Sequence, residues 1–493
     1  MALVAGVDSS TQSCKVVVVD TGTGRTVRTG SAPHPVGTEV DPSAWWDAVL
    51  AALHDAGGLA EVAALAVAGQ QHGMVLLDSS GEVVRPALLW NDTRSAAAAG
   101  DLVAELGAAE LARRCGSVPV ASLTITKLRW LRNNEPENAA RVAAVALPHD
   151  WLSWRLRGYG PAGQGPLGPD LEQLVTDRSD ASGTGYWSPG SGSYDLGLFE
   201  AALGRPAREA GTPGRTPGLA VLPRVACPSE PVGTLHPDLV PGVAARQVKL
   251  GAGAGDNAAA ALGLGADKGD VVVSIGTSGT VFAVADAPAC DPSGTVAGFA
   301  DASGGFLPIA VTLNAARVIS SVSELLGTTF AEFAELAIAA QPGSAGVVLV
   351  PYFEGERTPN LPDATASFHG LSIASTTREN FARAAIEGML CGLADGLDAI
   401  AGTGAGIQRV LLIGGAAQNP AVQAVAAQIF NAPLAIPAPG EYVARGAAVQ
   451  AAWALDGTRP AWPLETAAAP VRDVRAVIRE QYRAAQRQVA SHS

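Results

Sequence analysis

Hydrophobic and polar positions fall into blocks along the chain. Residues 2–7 (ALVAGV) are apolar, a polar stretch follows, and KVVVVD (15–20) runs into TGTG. That pattern predicts strand, turn, strand. WWDAVLAALHDAG (45–57) carries helical spacing, and VAALAVAGQ (62–70) reads as a buried strand ending in the polar cluster Gln70, Gln71 and His72. MVLLD (74–78) followed by SSGEVV predicts a hairpin-like unit. Residues 99–115 and 122–157 read as helices, and YGPAGQGPLGPD (159–170) as a surface loop rich in Gly and Pro.

The pattern then starts again. Residues 248–265 (VKLGAGAGDNAAAALGLG) predict a strand, a glycine turn and a helix beginning at Asp256. VVVSIGTSGTVFAVAD (271–286) repeats the arrangement of residues 3–20: apolar strand, short hydroxyl-rich turn, apolar strand, Asp. VLLIGGAAQNPAVQAVAAQIF (410–430) predicts strand, glycine turn, helix, and ARGAAVQAAWAL (444–455) a further helix of small residues. Two related α/β domains with a cleft between them follow from this duplication, residues 1–247 and 248–493. A single extended α/β domain is the alternative, which 493 residues disfavour.

Composition narrows the chemistry. Apolar residues make up 48% of the chain and aromatics 5%, so disorder of the whole is excluded and the core is built from small side chains. The formal net charge of −13 argues against general nucleic-acid binding. Five cysteines with no C-x-x-C pair do not make a disulfide framework and suit a reducing compartment. The start, MALVAGVDSST, has no positive n-region, and no apolar run reaches the roughly 18 residues of a membrane span, so a cytoplasmic protein without membrane partners is expected. H-E-x-x-H, G-x-S-x-G and G-x-x-x-x-G-K-[ST] are all missing, which leaves zinc proteolysis, serine hydrolysis and P-loop chemistry without support. Arg479, Arg483 and Arg487 read as a solvated basic face.

Each remaining candidate has a plain reading beside the chemical one. The turn DSSTQSCK (8–15) offers hydroxyls and N–H groups to a phosphate, with Asp8 to orient a metal; it equally fits an Asx or Ser/Thr turn. GTSGT (276–280) lets backbone approach a bulky anion, or simply closes a hairpin. Asp256 follows a flexible glycine run at a helix start, where Asp is a common N-cap. Gln71 and His72 sit at a strand end, where open α/β sheets bind ligands, or form a satisfied polar loop. Trp90, between Leu89 and Asn91, suits a sugar face or a core.

Taken in order, these segments resemble the FGGY carbohydrate kinase family over nearly the whole chain. The opening turn, DPSAWW (41–46), AGQQHGMVLLD (69–78), RPALLWND (85–92), SLTITKLRWLRNN (122–134, around Lys127 and Trp130), GAGAGDNAAAALG (251–263), SIGTSGT (274–280), YFEGERTPN (352–360), ASFHGL (366–371) with the run to Glu387, and LLIGGAAQNP (411–420) carry the likeness. The branch most resembled acts on D-xylulose. The resemblance implies two actin-like (ribonuclease H-like) α/β domains closing on ATP, Mg²⁺ and sugar, with homodimers among the family. It implies Asp256 as the base on the sugar hydroxyl and Asp8 as support for Mg²⁺ and the transferring phosphate. Gln71, His72, Asn257 and Trp90 match the sugar side, and Thr11, Lys15, Gly276, Thr277 and Ser278 the turns near the ATP phosphates. Gly414, Gly415, Ala416 and Asn419 match the adenosine turn.

The chain departs from the family at three positions. Ser10 stands where the first turn usually carries Gly, at a cost in backbone freedom, Gln12 replaces a hydroxyl residue, and Gln71 stands where Met is frequent. The expected reaction is phosphorylation of D-xylulose to D-xylulose 5-phosphate. Asp256 is expected to stay anionic, favoured by the helix dipole. Two alternatives remain open: an acceptor such as ribulose or gluconate, and an actin-like nucleotide sensor without sugar transfer.

Overall fold

The computed structural model describes residues 2–213, 218–238 and 247–490. Two mixed sheets repeat one plan. In the first, the strand order is Pro231–Thr234, Lys249–Gly251, Val62–Gly69, Leu3–Ser9, Ser13–Asp20, Thr26–Pro33, with Ala254–Gly255 also on Val62–Gly69. In the second it is Thr466–Ala467, Leu434–Pro437, Arg409–Ile413, Asp270–Ile275, Gly279–Ala283, Phe306–Thr312, Ala297–Ala300. Strand senses match as well: Leu3–Ser9 is antiparallel to Ser13–Asp20 and parallel to Val62–Gly69, as Asp270–Ile275 is to Gly279–Ala283 and Arg409–Ile413. The paired strand–turn–strand units read from the sequence are therefore present in both halves, each with a parallel strand beside it. Lys249–Gly251 and Ala254–Gly255, beyond residue 247, complete the first sheet. Residues 239–246, beside that expected boundary, lie outside the described residues.

Two helices of small residues join the halves. Asp256–Gly263 and Tyr442–Asp456 share one core with Val4, Ala64 and Ala66 of the first sheet and Val272 and Leu411 of the second. Their separation leaves no room for a side chain at the crossings. A Cβ on Gly446 would lie 1.8 Å from the Ala259 carbonyl oxygen, one on Gly263 2.0 Å from that of Tyr442, and one on Gly6 1.9 Å from that of Ala444. The Ala and Gly richness of the sequence thus reflects backbone-to-backbone packing.

Other segments differ from expectation. Residues 122–157 are not continuous helix: Thr124–Asn134, Pro136–Arg141 and Pro148–Leu156 are helical, while Ala144–Ala146 is a strand antiparallel to Val75–Leu77. Pro136 and Pro148 each open a new helix, where a missing N–H costs nothing. The apolar run between them is long enough only for a buried strand. Residues 159–170 form a loop without regular structure, as expected. Arg479 is not solvated: it is 12% exposed, ion-paired with Asp395 and Asp398, and donates to the Cys391 carbonyl. Buried Ile478, Tyr482 and Ala485 dock its helix and carry Arg479 inward with them. Cys14, Cys115 and Cys391 are buried free thiols, whereas Cys227 and Cys290 are exposed ones. No described helix is long and apolar enough to cross a membrane.

The helix crossing gives a stability test. Gly446→Ala forces a methyl into backbone at 1.8 Å and should cost about 3 kcal/mol, the upper range of overpacking. Denaturant unfolding measures this; an unchanged midpoint would show that the crossing yields without penalty.

Candidate active site

Asp8 lies near the end of the Leu3–Ser9 strand, buried, opposite Lys15 in the hairpin register. The Ser10 hydroxyl donates to Asp8 Oδ1. Burial outweighs that bond and the nearby Lys15 charge, and holds the Asp8 carboxyl up at about 6. Ser10 is not among the non-glycine residues with left-handed backbone, which are His72, Ser344 and Ala345 among those described. Its replacement of glycine therefore costs no strain, and its hydroxyl adds a contact glycine cannot make.

Two cavities open between the halves. The first, about 450 Å³, is lined by Asp8, Ser10, Lys15 and Ser274 from the two hairpins, by Gly414, Gly415 and Gln418, and by residues 437–443. Lys15 Nζ lies 2.7 Å from Glu441 Oε2 across its mouth. The second, about 430 Å³, is lined by Thr11, Gln71, His72 and Trp90 on one side and by Ser278, Thr280, Phe299 and Arg357 on the other. Among the described residues only Asp256 and Asn257 line both.

The second cavity is held by tightly specified contacts. His72 takes φ +68, a conformation that costs a non-glycine residue on the order of 1 kcal/mol and persists where surroundings enforce it. Those surroundings are Thr124 and Lys127, which donate to the His72 carbonyl at 3.2 and 2.9 Å, and the Gly183 carbonyl, 2.7 Å from His72 Nδ1. That last contact puts the ring hydrogen on Nδ1 and leaves Nε2 as an acceptor. Burial, then the Lys127 charge, pushes the imidazole down to about 3, so it stays neutral. Phe299 from the second half packs against its ring at 5.6 Å between centroids. Lys127 is itself wholly buried, and burial lowers its ammonium to about 7. The Trp90 indole N–H donates to Thr11 Oγ1 at 2.8 Å.

Asp256 is the first residue of its helix, and Gly255 occupies the N-cap position. The capping reading is thus set aside. Asn257 Nδ2 donates to Asp256 Oδ1 at 3.0 Å and to Gln71 Oε1 at 3.3 Å, which ties the two cavities together. The expectation that the helix dipole keeps Asp256 anionic does not hold: burial, then the Asp8 charge, raises its carboxyl to about 7. A helix end offers under about 1 kcal/mol, less than desolvation takes away.

Gly276 and Thr277 are exposed at the tip of the second hairpin and line neither cavity, unlike Ser278. Ala416 lies outside the first cavity's lining, and Asn419 caps the Pro420–Ile429 helix by accepting from Ala421 N–H at 2.9 Å. Arg357, within the YFEGERTPN segment, is a pocket residue that the sequence reading missed. Among the described residues the Arg357 guanidinium has no hydrogen-bond partner, so its donors face the second cavity free. Also missed was a wholly buried group, His149, Asp150 and Asp180, whose ligand-type atoms lie within 4.8 Å of one another. The residues LPHDW and TDRSD that supply it stand far apart in the chain, and nothing local pairs them.

Comparison with known proteins agrees with this geometry. Residues 3–263 match the N-terminal domain of the FGGY family of carbohydrate kinases, and residues 271–455 its C-terminal domain. The chain is 45% identical over 481 residues to a xylulose kinase of Streptomyces rubiginosus, covering 95% of this chain and 92% of that one. It is 46% identical over 483 residues to one of Streptomyces coelicolor, covering 96% and 92%. The crystal structure of xylulose kinase from Bifidobacterium adolescentis superposes with a TM-score of 0.90 at 46% identity, covering 98% of this chain and 99% of that one. With both domains matched in order and a two-chambered cleft between them, the chain belongs to the FGGY family of carbohydrate kinases and is an ATP-dependent sugar kinase.

Proposed function

We propose that the protein transfers the γ-phosphoryl group of ATP to D-xylulose, giving D-xylulose 5-phosphate and ADP. The observation that carries this reading is that Asp256 and Asn257 border both cavities. A phosphoryl donor in the first and an acceptor hydroxyl in the second would meet at one carboxylate. The identity of about 45% to two xylulose kinases supports D-xylulose as the acceptor.

The acceptor lies between Gln71, His72 and Trp90 on one side and Arg357 on the other. The Asp256 carboxylate takes the proton of the sugar hydroxyl as its oxygen attacks the γ-phosphorus. The bond to the β-phosphate oxygen breaks and ADP leaves with its electron pair. Such transfers pass through a loose transition state, so positioning and charge neutralisation dominate. Lys15 contributes a charged donor on the nucleotide side, Thr11 and Ser278 stand at the acceptor cavity, and Gly414 and Gly415 let the nucleotide lie against bare backbone. Ala416 and Asn419 shape that turn from outside the cleft. Asp8, buried in the cleft with its carboxyl held up at about 6 by burial, offers hard carboxylate oxygens and would hold the Mg²⁺. That ion supplies charge neutralisation on the phosphoryl oxygens. A homodimer working in the cytoplasm is the setting we propose with this reading.

A coupled ADP-release assay with Mg·ATP and a panel of D-xylulose, D-ribulose, L-ribulose, gluconate and glycerol should show the highest kcat/KM with D-xylulose. A higher value for another sugar would keep the fold and reassign the pocket.

Asp256→Asn should lower kcat by about 10²–10⁴-fold, the usual contribution of a general base. It should leave Tm unchanged or raise it, because the amide removes a charge that burial disfavours. The base works only when ionised, and its carboxyl sits near 7. In the wild-type enzyme kcat/KM should therefore fall about tenfold per unit as pH drops below 7 and level off above it. A flat profile from pH 5.5 to 8 would remove the base assignment.

Arg357→Leu should raise the sugar KM about tenfold or more, as expected for a lost charged hydrogen bond, with the ATP KM little changed. Equal sugar KM values in variant and wild type would take Arg357 out of the pocket chemistry.

A further inference from the structure

Asp256 follows the turn Ala252–Gly255, which carries almost no side chain: Ala252, Gly253, Ala254 and Gly255. The stretch bears nothing larger than a methyl group, and its second half, Ala254–Gly255, pairs with Ala68–Gly69 of the first sheet. Two polar groups from the first half clamp it at both ends. His149 Nε2 lies 3.3 Å from the Ala252 carbonyl oxygen. The Gly255 N–H, one residue before Asp256, donates to Ser179 Oγ at 3.0 Å. Gly253 has φ +88, and a Cβ there would lie 2.3 Å from His149 Cδ2, so the imidazole packs directly beneath the turn.

The protonation of His149 follows from its neighbours. Nδ1 is 2.6 Å from Asp180 Oδ2 and 3.3 Å from Asp150 Oδ1, while Nε2 faces a carbonyl. Acceptors on both sides require a hydrogen on both nitrogens, which makes the ring an imidazolium. Burial opposes the charge, but Asp150, Asp180 and Asp177 outweigh it and hold the ring up at about 10. A nitrogen that donates has no lone pair for a metal, so the compact His149, Asp150 and Asp180 group acts as an ion cluster.

Ser179 reaches further. Its hydroxyl donates to Asp177 Oδ2 at 2.6 Å, and its carbonyl accepts from Gln71 Nε2 at 3.3 Å. Gly183, four residues on, supplies the carbonyl that fixes His72 Nδ1. The segment from Asp177 to Gly183 therefore touches the turn before the base and two of the sugar-side residues, Gln71 and His72.

We propose that His149, held by Asp180 and Asp150, and Ser179 are positioning residues: they clamp the Ala252–Gly255 turn so that the Asp256 carboxylate meets the acceptor hydroxyl held by Gln71 and His72. This rests on the assignment of Asp256 as the base. Neither residue touches substrate; both act through the turn. Among the described residues no hydrogen bond joins the clamp to the nucleotide side of the cleft at Gly414, Gly415 and residues 437–443.

The test compares Ser179→Ala, His149→Gln and His149→Leu with Asp256→Asn in steady-state assays, each normalised to folded enzyme by thermal unfolding. Loosening the turn should lower kcat in Ser179→Ala by about tenfold or more while the ATP KM stays within about twofold, because small misplacements of a catalytic group cost rate and not nucleotide binding. His149→Gln keeps an N–H for the Ala252 carbonyl and should retain more kcat than His149→Leu. If Asp256→Asn is inactive but Ser179→Ala and His149→Gln keep wild-type kcat, even with lowered Tm, the two residues are merely structural and the positioning role is overturned. If Asp256→Asn turns over normally, the base assignment fails and this inference fails with it. Should the His149 variants not fold, Ser179→Ala, which removes only one buried hydroxyl, decides the matter alone.

Discussion

The closeness of the Tyr442–Asp456 helix to its neighbours governs the rest of the molecule. It lies against the Leu3–Ser9 strand at Gly6 and against the Asp256–Gly263 helix at Gly263 and Gly446, with carbonyl oxygens where side chains would stand. Asp8 is two residues beyond Gly6, and Asp256 opens the helix that Gly263 closes. One helix therefore fixes the separation of the two cleft carboxylates. The same helix begins at the rim of the first cavity, where Glu441, Tyr442 and Val443 line the wall. Backbone contact is stiffer than side-chain contact, since it has no rotamers to relax into. A catalytic distance set in this way does not drift with the repacking of larger residues.

Electrostatics in the cleft follow from burial more than from pairing. Asp8 and Asp256 are both raised by desolvation; the Asp8 charge raises Asp256 further, and the Glu441 charge does the same to Asp8. Lys127 and His72 are pushed the opposite way, toward neutrality. The cleft thus holds groups whose charged forms are all penalised until a ligand arrives with complementary charge. His149 is the exception, a cation kept charged beneath the turn by three carboxylates. The positive charge is placed behind the base rather than beside it.

Much of this was legible in the sequence. The two hairpins at 3–20 and 271–286 announce themselves by matching runs of Val separated by hydroxyl-rich turns, and the structure pairs each antiparallel. Asp256, Asn257, Gln71 and His72 stood out because polar residues interrupt long apolar runs. What escaped depends on relations across the chain. Ala144–Ala146 is too short to show a period and becomes a strand only beside Val75–Leu77. The Asp256 shift reflects desolvation by segments distant in sequence, which no local pattern reports. Arg357 sits in a quoted motif but shows its role only once its empty donors face the cavity, and His149 finds Asp180 only through folding.

The placement of the free thiols has a practical consequence. Three are sealed in the cores of the two sheets and helices, while Cys227 belongs to the first half and Cys290 to the second, both at the surface. The chain therefore carries one addressable sulfur in each half. A pair of maleimide-linked dyes or nitroxide labels would attach there without any engineered residue. Their separation would give a molecular ruler for how far the halves travel during a turnover.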